Sequence, residues 1–130
     1  MKPIFAAEDC MIGIICGFLL LMNVGKIYPL KLNNVIYVAA FAVLIIFIIL
    51  DILHELSDLS THPLFIIFSL THSIIHFVLS ISFIAYFTGL DIPYISTLIV
   101  PLINETTIYY AGVFLVAANV IWLVIFPFTY

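Results

Sequence analysis

Arginine is absent from this 130-residue chain, and lysine occurs only at Lys2, Lys26 and Lys31. A nucleic-acid surface needs clustered Lys and Arg, so no nucleic-acid partner is expected. Charged residues of both signs make up 8% of the chain, against about a quarter in ordinary globular domains. That is too little polar surface to coat a water-soluble fold. Cysteine is nearly missing too. Cys10 and Cys16 lie six residues apart, about 9 Å along a helix axis and on different faces. A disulfide needs Cα atoms within roughly 7 Å, so the pair reads as two small core residues. No nucleotide-binding loop, Gly-rich phosphate cradle, nucleophile motif or soluble domain is visible. Met1-Lys2-Pro3 could open a signal peptide, but Glu8 and Asp9 interrupt the approach to its apolar core and no A-x-A site follows. The first segment is expected to be retained.

What is present is apolar: 66% of residues, with a mean hydropathy of +1.39. A helix needs about 20 mostly apolar residues to span a bilayer. Four stretches reach that length, at about 6–27, 34–59, 64–88 and 108–126. Runs such as Val43–Leu50 are apolar on every side, without the alternation of a barrel wall. Uninterrupted helices satisfy every backbone group within lipid. The expected fold is a single all-α integral membrane domain, a four-helix transmembrane bundle. Asn33 or Asn34 caps the second helix, Pro63 starts the third, and Asn23, Gly25 and Pro29 end the first. Glu8 and Asp9 fit a first turn, where the helix dipole favours acids.

Residues 90–107 are apolar but too short to span, and Pro93 and Pro101 break them. They read as an interfacial or re-entrant segment, with Asp91 capping a short helix at Pro93. The seven tyrosines and Trp122 fall near expected helix ends, as in an aromatic belt. Lys26 and Lys31 place the first loop in the cytoplasm by the positive-inside rule, with both termini outside; the expected setting is the plasma membrane of a prokaryote. Asn104-Glu105-Thr106 matches a glycosylation sequon, but this topology puts it inside, so it reads as a chance match.

The few titratable groups are concentrated. Asp51, Glu55, Asp58 and His62 step by four, three and four, one stripe on a helix, with His54 beside it. The next helix carries Ser69, His72, Ser73, His76 and Ser80 at similar steps. The short link through Ser60, Thr61 and His62 makes the two helices antiparallel neighbours. Counting out from Thr61 sets residue 51 against 71 and places Asp51 near the depth of His72. Ionisable residues inside a membrane are expensive and are functional candidates by default.

Two chemistries suit this ladder. Asp51, His54, His72 and His76 offer three nitrogens and an oxygen, a donor set for Zn, Cu, Fe or haem iron. Asp51, Glu55, Asp58 and His62 form the kind of acid–histidine chain that relays protons, with Ser69, Ser80 and Asn119 as continuations. Asp51-x-x-His54 resembles half of the Glu-x-x-His pattern of di-iron bundles; the second copy is absent. His72-x-x-x-His76 resembles one histidine box of membrane desaturases and hydroxylases, without the other boxes. Asp58-x-x-x-His62 with His76 resembles the copper-ligand pattern of one subunit of membrane-bound methane and ammonia monooxygenases, with a different gap to the last histidine.

Gly13 and Gly17 form a G-x-x-x-G in an apolar helix, a close-packing surface for another helix of the bundle or a partner chain. Ala111, Gly112, Ala117 and Ala118 give the last helix a similar small face. Four spans leave little room for both a pocket and a gate. The leading expectation is therefore a small subunit of a multi-subunit membrane complex of respiratory or oxidoreductase type. The alternatives are an intramembrane metal- or haem-binding protein or enzyme, including a subunit of a membrane metal-dependent monooxygenase, and a homo-oligomeric proton or ion channel or transporter.

Overall fold

The computed structural model describes residues 4–25, 32–57 and 63–129. Within them the chain forms four long helices, α1 (Ile4–Asn23), α2 (Asn34–Ser57), α3 (Pro63–Thr88) and α4 (Glu105–Thr129), and no strand. Three stretches, Asn34–Ser57, Ile66–Thr88 and Glu105–Ile125, are long and apolar enough to cross a membrane. Their outer faces are built from large apolar side chains such as Ile46, Leu53, Phe68, Ile74 and Val124. A surface of this kind is stable only against another apolar phase.

The helix ends follow local chemistry. α1 stops where Gly25 takes a left-handed conformation at φ 72° and its N–H bonds the Met22 carbonyl at 3.0 Å; glycine adopts that backbone without Cβ strain. Asn33 caps α2, its side-chain oxygen accepting the Val35 N–H at 3.0 Å. α3 opens on Pro63 and ends before Gly89, φ 73°. Asp9 does not belong to a first turn: α1 starts at Ile4, which puts Asp9 in its second turn, buried.

α1 packs against both α4 and α2, and α2 packs against α3. The α2–α3 hairpin is antiparallel with a regular register. Tyr37 stacks on Phe87 at 4.6 Å and Phe41 on Phe83 at 5.4 Å. One and two turns further along α2 from Ile48, Ser73 meets Asp51 and Ser69 meets Glu55. All four pairs are centred on position 62, one residue beyond the expected pivot at Thr61. The shift brings Ser73, not His72, opposite Asp51. Tyr37 is fully buried in this seam, so it is a core residue rather than part of an interfacial belt; Tyr86, Tyr94 and Tyr110 are exposed.

α3 contains polar residues without breaking because they bond to the helix itself. Thr71, Ser80, Ser82 and Thr88 each donate to the carbonyl four residues back, at 2.6 to 2.9 Å, which removes a bare hydroxyl from an apolar setting. Between α3 and α4 the backbone is irregular, with a π-helical turn at Ile95–Ile99 and a 3-10 turn at Val100–Leu102. These turns pack back on α3 and leave Leu90, Tyr94, Leu98 and Leu102 exposed. Asp91 caps nothing there: the π-helical turn begins after Tyr94 without a side-chain cap. Ser96 holds the bend instead, donating to the Leu90 carbonyl at 3.0 Å and accepting from the Ile92 N–H at 2.8 Å.

Asn104 of the sequon has a structural role. Its side-chain oxygen accepts the Thr107 N–H at 3.1 Å, while the Thr107 hydroxyl accepts the Asn104 N–H at 2.7 Å. This reciprocal pair closes the N-terminus of α4. Asn104→Ala is expected to cost about 1 kcal/mol and to speed amide hydrogen exchange in the first turn of α4; unaltered exchange there would mean the cap contributes nothing.

Candidate functional site

The polar interior begins near the end of the hairpin formed by the C-terminal part of α2 and the N-terminal part of α3. Ser69 lies six residues into α3, about 9 Å along its axis, and its hydroxyl donates to Glu55 Oε1. One turn deeper, Ser73 donates to Asp51 Oδ2 at 3.5 Å. Both acids are buried, and their side chains lie within hydrogen-bond reach of each other; no other described residue donates to Asp51 Oδ1 or Glu55 Oε2. Asp9 of α1 is 2% exposed, lies within electrostatic range of both, and leaves its Oδ1 unpartnered. His54, half-buried one turn from Asp51, also acts on it electrostatically.

Deeper still, about 20 Å from the start of α3, His76 links α3 to α4. Its Nε2 lies 2.8 Å from Asn119 Nδ2. The same amide nitrogen sits 2.6 Å from the Leu115 carbonyl. A carbonyl accepts only, so this atom must be the donating nitrogen of the amide, and His76 Nε2 must accept from it. The imidazole proton is then on Nδ1, which donates to the His72 carbonyl at 2.8 Å. Both ring nitrogens are engaged in one neutral tautomer. His76 and Asn119 are fully buried, and Asn119 Oδ1 has no partner.

The expected sites separate under this geometry. Asp51 faces Ser73 on α3, whereas His72 turns toward α4 and stacks on Trp122 at 4.9 Å. With His76 occupied on both nitrogens, the set Asp51, His54, His72 and His76 does not converge. Among the described residues no group of three or more His, Cys, Asp or Glu side chains is arranged to hold a metal ion. The buried Nε2 of His72 is without a hydrogen bond; its ring lies against those of His76 and Trp122. Of the chain Asp51, Glu55, Asp58 and His62, the first two stand together in the interior; Asp58 and His62 lie outside the described residues.

Gly13 and Gly17 sit on the α1–α4 contact. A Cβ on Gly13 would lie 2.5 Å from Asn119 Nδ2, so the bare glycine leaves the space that Asn119 occupies beside His76. Gly17 lies against the backbone of Gly112 and Val116 on α4. Cys10 and Cys16 are free thiols in the core.

Asp9 is the buried acid that the sequence concealed, because an acid near a helix start has an ordinary explanation in the dipole. A signal was nevertheless present: Asp9, Gly13 and Gly17 recur every fourth residue, one stripe on a helix, and a stripe with two glycines faces a neighbour. No family model, curated protein or solved structure matches the chain.

Proposed function

We propose that this chain is a four-span helical membrane protein and a small subunit of a multi-subunit membrane complex of respiratory or oxidoreductase type, in which the buried acids on α2 exchange protons. One observation carries the reading: Asp51 and Glu55 are enclosed together in an apolar bundle, held by serine hydroxyls, with their side chains within hydrogen-bond reach of each other. The chain's only lysines are Lys2, Lys26 and Lys31, and it has no arginine. Two adjacent negative charges away from water cost several kcal/mol, so protons are the natural means of neutralising them. An acid pair that must hold a proton can also release one when its surroundings change.

The subunit part of the reading is supported by where the open clefts lie. One is lined by Val24, Glu105, Thr106, Tyr109 and Tyr110, another by Asn23, Leu32, Asn34, Tyr86 and Phe87. Both belong to the helix ends opposite the acids, and a third, wholly apolar cleft lies between Ile49, Ile52, Leu53, Ile74 and Phe77 on α2 and α3. None of these three is lined by Asp51 or Glu55, so the reading gives the acids a part in moving protons and assigns the chemistry they serve to a neighbouring chain.

Infrared difference spectra of the chain in bilayers test the proton reading. A buried carboxyl band should rise and fall reversibly with bulk pH, and Asp51→Asn should remove part of it. A wild-type band that does not respond to pH overturns the reading. Native mass spectrometry of the protein extracted from its own membranes tests the assembly: a fixed ratio to other chains is expected, and a solitary monomer overturns the subunit assignment.

A further inference from the structure

We infer that the cleft between the end of α1 and the start of α4 binds the ammonium headgroup of a zwitterionic phospholipid, with Glu105, Tyr109 and Tyr110 recognising it. The inference goes beyond the proton reading and rests only on α4 spanning the membrane. The cleft has a volume of about 330 Å³ and is lined by Val24, Glu105, Thr106, Tyr109 and Tyr110, within the size range of ordinary ligand clefts. Glu105 is the first residue of α4. Tyr109 follows it one turn along on the same face, and Thr106 and Tyr110 repeat that step. The two tyrosine rings stand 5.4 Å apart and are tilted by 59°, so they form two angled walls with a carboxylate one turn away. Aromatic faces attract an organic ammonium, and a carboxylate beside them supplies its counter-charge.

Glu105 is exposed, and none of the described residues is a lysine or an arginine. No permanent cation among them answers its charge. The helix dipole accounts for an acid at this position, and an interfacial belt accounts for a tyrosine; neither accounts for their meeting in one cleft. The positive end of α4 does not repel a cation there unopposed. α1 and α4 run antiparallel, with Gly13 facing Asn119 and Gly17 facing Val116, so the carbonyl end of α1 reaches the cleft at Val24 and offsets that pole.

The position of the cleft selects a lipid as the source of the ammonium. The apolar stretch Glu105–Ile125 begins at the cleft, which puts Glu105 at headgroup depth, since a carboxylate in hydrocarbon is expensive. Val113 and Phe114 continue the two rows one turn deeper, and each is 40% exposed. From the helix end inward, one surface of α4 thus offers an anion, then aromatic rings, then bare apolar side chains. A phospholipid with a choline or ethanolamine headgroup presents its ammonium outermost and its acyl chains inward, in the matching order. Each contact is weak at an exposed site, so a free amine is held poorly. A lipid is held in place by the bilayer, at a high effective concentration.

Native mass spectrometry of the full chain, released from bilayer nanodiscs, tests the site. The discs contain equal amounts of phosphatidylcholine, phosphatidylethanolamine and phosphatidylglycerol with identical acyl chains. Wild type should retain the first two about tenfold over the glycerol lipid, which has no ammonium. Glu105→Gln and Tyr110→Leu should each reduce that preference about fivefold. Tyr110→Phe keeps the ring and should keep the preference. So should Asp91→Asn, which removes an exposed acid outside the cleft. General repulsion of the glycerol lipid by an acidic chain would survive Glu105→Gln, so a preference untouched by that substitution overturns the site. Equal retention of all three lipids by wild type overturns it too. Choline chloride added to the discs should displace nothing; displacement would overturn the lipid source. Glu105 and Tyr110 are exposed, and melting curves matching wild type should show that both variants fold. No variant touches Asp51 or Glu55, so failure here leaves the proton reading standing.

Discussion

Replacing Gly17 with valine is expected to part α1 from α4 and to lower stability by about 3 kcal/mol, the upper end for overpacking a tight interface. A Cβ at Gly17 would stand 2.7 Å from Val116 Cγ2, 2.8 Å from the Gly112 carbonyl oxygen and 2.9 Å from the Val116 nitrogen. Two of those three atoms are backbone. A side chain can rotate away, but a helix backbone moves only as a unit, so the clash must be relieved by separating the helices. The reverse contact is nearly as close, with a Cβ on Gly112 falling 3.0 Å from the Gly17 carbonyl oxygen. In lipid no hydrophobic drive pulls helices together, and close packing carries more of the association. Gly17→Ala should fall between wild type and Gly17→Val. The check is a series of melting curves in one detergent; coincident curves for wild type and Gly17→Val would show that α1 and α4 do not meet at this point.

Most of this architecture was legible because local chemistry and bilayer physics agree. Apolar runs of about 20 residues leave helix as the viable backbone, and Pro63, Asn33 and Gly25 punctuate those runs where α3 starts and where α2 and α1 are capped. The stripe Asp51–Glu55 was visible as a four-residue step, and its inward direction follows from the cost of facing lipid. Register was harder. A pivot at residue 61 or 62 rests on the conformation of the hairpin link, and one residue of error exchanges His72 for Ser73 opposite Asp51. That exchange separates a four-ligand arrangement from two hydroxyl-bonded acids. The same limit applies to Asp9 and Tyr37. Periodicity tells which residues share a face of one helix, but which neighbour that face meets is decided by the packing of all four.

Asn119→Leu is expected to cost about 1–3 kcal/mol, although leucine is similar in size and better suited to an apolar core. The loss arises on His76, whose Nε2 would remain buried as an acceptor with no donor. An interhelical hydrogen bond in a membrane contributes about 0.6 kcal/mol on average, up to about 1.7. This pair should lie toward the larger value, because Asn119 is fixed by Leu115 and His76 by the His72 carbonyl before they meet. Removing both partners should be milder than removing either one, since His76→Leu with Asn119→Leu leaves neither group of the pair unsatisfied. The double-mutant cycle, read from unfolding in the same detergent, should therefore show a coupling of about 1–2 kcal/mol. Gly13→Ala should reproduce much of the Asn119→Leu effect and add little to it, because its Cβ would displace the same amide. Strict additivity of His76→Leu and Asn119→Leu would show that the two side chains do not bond, and with that the neutral, doubly engaged state of His76 would lose its basis.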